Sequence, residues 1–178
     1  MKKLFAILVF SLLVIGLTGM GMAQSTATHD VNINVDDIVL LAVSGGTITL
    51  DVTVPAAGGG DPVGETDNTT VYLQYTSVVS STTRNVAARI SASAVPSGLA
   101  LSVQAIGTPG TNEGTYGAAI TLSDTDQNFV TAIASCATGT GGTDGALLEY
   151  ILSVTSATTL NYGDDTTVTI TYTLSDDS

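Results

Sequence analysis

Hydrophobic and polar positions alternate in steps of two along much of this chain. Val31, Ile33 and Val35 are separated by Asn32 and Asn34. Ile48, Leu50, Val52 and Val54 alternate with Thr and Asp. Val71, Leu73 and Tyr75 alternate with Tyr72 and Gln74, and Val86, Ala88, Ile90 and Ala92 with Ala, Arg and Ser. Leu99, Leu101, Val103 and Ala105 repeat the pattern, and Val168, Ile170, Tyr172 and Leu174 alternate with Thr. Successive side chains of a strand point to opposite faces, so each segment predicts a strand with one buried and one solvated face. No window keeps a period of 3.6 residues, which argues against helices. Residues 38–43, 118–122, 129–134 and 147–154 are apolar on both sides and add further strand candidates.

Turn chemistry separates these segments. Ser44-Gly45-Gly46 and Pro96-Ser97-Gly98 predict tight hairpins. Residues 55–68, 107–117, 138–145 and 161–165 predict longer Gly- and Asp-containing loops. About ten short strands with regular turns predict an all-β, antiparallel β-sandwich, with a closed barrel as the alternative.

The first residues carry a different signal. Lys2 and Lys3 precede an apolar run from Phe5 to Leu17, and Gly21-Met22-Ala23 offers small residues ahead of Gln24. This is the layout of a bacterial secretory signal peptide over 1–23. The run is too short for a membrane span, which needs roughly 20 residues. A single exported domain over 24–178 is expected, with no membrane attachment after cleavage.

Charge narrows the function. The 178-residue chain has 16 Asp+Glu against 4 Lys+Arg. Once the leader is removed, Arg84 and Arg89 are the only Lys or Arg left. A nucleic-acid binder needs a basic surface to release counterions, so that class is not expected. Anionic lipid is an equally poor partner. The single cysteine, Cys136, allows no intrachain disulfide, and the single histidine, His29, leaves no pair for a metal or a proton relay. No nucleophile elbow is present, and there is no Trp to stack a sugar. The chain reads as a non-enzyme.

Calcium is the one ion with a candidate site. Asp124, Asp126 and Asn128 place three oxygen side chains at alternate positions, but Phe129 and Ser135 stand where a calcium loop needs Gly and Glu. A polar turn explains these residues as well. Asp36-Asp37, Asp164-Asp165 and Asp176-Asp177 are further acidic pairs, expected at turns or on a solvated surface unless the fold brings them to one cation.

The segment after the leader is a candidate donor strand. Val31, Ile33 and Val35 suit addition to the edge of a neighbour's sheet. Burying three such side chains contributes roughly 5–9 kcal/mol before ordering costs. Pairing within the chain's own domain is the simpler alternative.

The leader, the opening Val31–Val35, the stretch Ala87-Ala88-Arg89-Ile90-Ser91-Ala92, the turn Pro96-Ser97-Gly98-Leu99-Ala100-Leu101 and the closing 168–173 resemble secreted bacterial fimbrial, pilin and spore-coat-U-like proteins. The resemblance is one of pattern over most of the exported length. It implies an immunoglobulin-like fold and subunits that polymerise by exchanging a strand. The cysteine pair usual in chaperone-assembled pilins is missing. The expected function is thus a structural subunit of an extracellular filament, pilus or surface coat, whose partners are copies of itself. The competing expectation is a monomeric glycan- or calcium-binding module on the cell surface.

Overall fold

A computed structural model describes residues 25–177. The leader, residues 1–23, therefore lies outside the described residues. The chain divides into two units, Met1–Val35 and Asp36–Ser178. In the first, residues 25–35 form no strand and are exposed throughout. Among the described residues the row at Val31, Ile33 and Val35 pairs with no strand, although its alternation predicts one.

The second unit is all-β and sandwich-like. Its long strands are β1 (Ile38–Ser44), β5 (Tyr72–Val78), β6 (Arg84–Ala92), β7 (Leu99–Ile106), β10 (Gln127–Ile133), β12 (Ala146–Val154) and β13 (Thr169–Asp176). Six two-residue pairings complete the set: β2 (Val52–Thr53), β3 (Val63–Gly64), β4 (Thr66–Asp67), β8 (Thr115–Tyr116), β9 (Ile120–Thr121) and β11 (Cys136–Ala137). One 3-10 turn spans Ala157–Thr159. Among the described residues no helix is long and apolar enough to cross a membrane.

One sheet runs β1-β5-β12-β7-β9, with β11 beside β5 and β4 beside β12. The second runs β13-β6-β10-β8. Every pairing is antiparallel. Leu73, Val103 and Leu148 from the first sheet meet Val86, Ala88, Phe129, Val130 and Leu174 from the second in a single core. These are the apolar positions of the two-residue alternation, as burial of one face requires. Tyr150 and Tyr172 join hydroxyls across the two sheets at 2.6 Å. A buried phenol must keep a hydrogen-bond partner, and here each supplies the other's.

Two expected hairpins are absent. The strand before Ser44-Gly45-Gly46 pairs with β5, whose first residue lies 28 positions after Ser44. The intervening chain is mostly irregular: Ile48 and Leu50 pack on the core, and only Val52–Thr53 enter a ladder. The turn at Pro96–Gly98 does form, closed by Leu99 N donating to Pro96 O at 3.1 Å. It carries the chain from β6 to β7, which belong to opposite sheets. A turn motif fixes a local reversal, but tertiary burial decides which strands pair.

Strand β10 bulges twice where it pairs with β6. Ala132 adopts φ 57 there, and its amide donates to Asn85 Oδ1 at 3.2 Å. The Asn85 side chain thus replaces the ladder partner that the bulge removes.

Candidate functional site

Among the described residues both sheets end in a strand paired along one edge only: β1 closes one path and β13 the other. The two edges meet at one corner, and a single side chain builds it. Arg84, the first residue of β6, is only 1% exposed. Its Nε donates to Asp176 Oδ1 at 3.0 Å, and its Nη2 to Asp37 Oδ1. Its Nη1 reaches Ile38 O at 2.8 Å, Ser77 Oγ at 3.0 Å and Val78 O at 3.3 Å. The planar five-donor guanidinium suits this task, since it bonds in several fixed directions at once. The clasp therefore ties the start of β1 and the end of β5 to the start of β6 and the end of β13. Next to it, Asn85 Nδ2 donates to Asp177 Oδ1 at 2.8 Å, and Asp177 N to Thr83 O at 2.8 Å.

Two of the acidic pairs do converge on a cation, and that cation is Arg84. Sequence reasoning passed over this residue. The available signal was its rarity: one of two arginines set among 16 acids, at the start of a strand whose next apolar residues are Val86, Ala87 and Ala88.

The edge at β1 is apolar. Register places Val39, Leu41 and Val43 opposite Ser77, Tyr75 and Leu73, so they share the inner face of the sheet. Even so, Val39 and Val43 are 46% and 44% exposed, and only Leu41 of the three packs on the core. On the outer face Leu40 is 63% exposed. On β13, Ile170 and Tyr172 pack against the core but are only partly buried. The candidate donor residues are also bare: Val31 is 69%, Ile33 82% and Val35 77% exposed.

The candidate calcium residues are distributed otherwise. Asp126 Oδ1 forms an ion pair with Arg89 Nε at 3.5 Å, and Asn128 sits in β10 opposite Ala87. Asp124 lies in the exposed bend between β9 and β10. Among the described residues no group of three or more His, Cys, Asp or Glu is placed to hold a metal ion. His29 lies among the exposed residues 25–35.

Cys136 is half-buried against the core, and burial followed by the charge of Glu113 pushes its thiol pKa up. That weakens it as a nucleophile, since the thiolate is the reactive form. Nearby, the Tyr75 hydroxyl donates to Glu113 O at 2.6 Å, and burial raises its pKa as well. These groups read as core.

Comparison with protein-family models, curated proteins and solved structures returns no match. The reading of this chain rests on its own residues.

Proposed function

We propose that this chain is an exported structural subunit of an extracellular filament, pilus or surface coat, whose copies join by β-strand addition. The observation that carries the reading is the exposed apolar edge at β1, unpaired on one side among the described residues, in a chain that presents a bare Val31-x-Ile33-x-Val35 row. A strand edge offers unpaired amides and carbonyls to any extended segment of matching pattern. Soluble proteins commonly guard such edges with lysine, and this chain has none after Lys3. The leader and the likeness to fimbrial and spore-coat-U-like proteins support export and a surface role.

Negative-stain microscopy of the secreted product and of producing cells tests the reading. Regular filaments or a coat are expected, and deletion of residues 24–35 should leave a folded monomer that no longer assembles. Monomers alone in both samples, with the deletion merely unfolding the domain, would overturn it.

A further inference from the structure

We infer that β1 is an exchangeable strand, latched by Arg84, and that the β1 of a second copy takes its place against β5. This goes beyond the addition of residues 31–35, because it concerns a strand already seated in its own domain.

Three observations converge. First, β1 is the only long strand among the described residues with no buried side chain. Its neighbours β5, β12 and β7 bury alternate residues to near-zero exposure. Of its side chains only Leu41 packs on the core, and it is partly buried, so the strand is held by that one contact, by Arg84 and by its seven-residue ladder with β5, from Ile38↔Val78 to Ser44↔Tyr72. A ladder is equally satisfied by the identical strand of another copy.

Second, the two ends of β1 differ. At its start, Arg84 grips Asp37 and Ile38 O. At its end, only Ser44 Oγ adds side-chain contacts, donating to Tyr72 O and Gly142 O at 3.4 Å each. Charge-assisted hydrogen bonds are about twice as strong as neutral ones, so the start is the latch.

Third, a hinge follows immediately. Gly45 has φ 103, and Gly46 has open space where a side chain would lie. Two glycines together reorient the backbone at little steric cost. The next anchors, Ile48 and Leu50, are packed on the core and stay behind. Opening at Gly45–Gly46 would therefore carry out residues up to Ser44 as one arm and leave the sandwich in place.

Leu40 and Thr76 face each other in the ladder, and no side-chain bond of Thr76 would be lost by replacing it. Leu40→Cys and Thr76→Cys are made in separate full-length chains, each with Cys136→Ala. The secreted products are mixed under mild oxidation. Exchange gives a heterodimer cross-linked between positions 40 and 76, mapped by mass spectrometry. Asp37→Asn, which removes the charge from the Arg84 contact without changing a residue of β1, should raise its rate of formation about tenfold, as expected for losing one charge-assisted bond. The double variant L40C/T76C in one chain should close its own disulfide, proving the geometry. Once closed, it blocks exchange and leaves any assembly through residues 31–35 intact, so the two proposals fail separately. Absence of the 40–76 heterodimer, under conditions where the double variant closes, overturns the inference.

Discussion

At the scale of single residues, Arg84 outweighs any other polar group described. Its guanidinium is buried while both carboxylate partners stay largely in water. Removing it leaves two acids without their counter-charge and five hydrogen bonds unmade. Arg84→Met should therefore cost about 3 kcal/mol or more in urea unfolding, and Arg84→Lys should recover only part of that, because an ammonium cannot reach five acceptors in a plane. Titration supplies a second prediction. Burial raises the pKa of Tyr75, Tyr116, Tyr150 and Tyr172, and of the Cys136 thiol. For such a group stability is complete below the unfolded-state pKa and is lost as pH rises through the folded one. Urea midpoints should hold near neutrality and fall above about pH 9, where unfolded Cys and Tyr begin to ionise. A flat profile to pH 11 would contradict this. Little of the residue scale was legible in the sequence. Alternation names the inward-facing residues, but it cannot say that Asp37 and Asp176, almost the whole chain apart, share one arginine.

At the scale of elements, the strands that alternate around Leu73, Ala88, Val103 and Ile170 all form, and so do the apolar runs at 38–43, 129–134 and 147–154. Burial of one face is a strong local constraint, and two-residue periodicity encodes it directly. The misses share a cause. Residues 31–35 and 48–54 carry the same alternation, yet a strand also needs a partner edge, which periodicity does not supply. The hairpins at Gly45–Gly46 and Pro96–Gly98 failed for the reciprocal reason, since those turns link strands that pair elsewhere. Loop glycines can be ranked by the space around them. Gly145 has φ 93, and a Cβ there would lie 2.2 Å from Leu73 O, at the point where β12 joins β5. Gly142, in the same loop, has open space. Gly145→Ala should destabilise by about 2 kcal/mol or more, and Gly142→Ala by less than about 0.5 kcal/mol, as read by thermal unfolding.

At the scale of the whole molecule, charge and edges act in opposite directions. The acidic surface keeps copies apart, while the exposed apolar edge at β1 favours their contact. Salt screens the first, with a Debye length of about 10 Å at 0.1 M, and leaves the second. Sedimentation of the secreted product should show association growing with ionic strength, and fastest association at the lowest salt would contradict the proposed assembly. The corner at Arg84 also has a mechanical meaning. Strand β1 begins there and β13 ends there, so tension applied between the two ends of the domain enters and leaves at the same place. The load passes from Asp37 through one guanidinium to Asp176 and bypasses the hydrophobic core. Pulled in this way, the domain should yield by peeling β1 from β5 and β13 from β6. The Arg84 bonds to Asp37 and Asp176 should be the first ties to part.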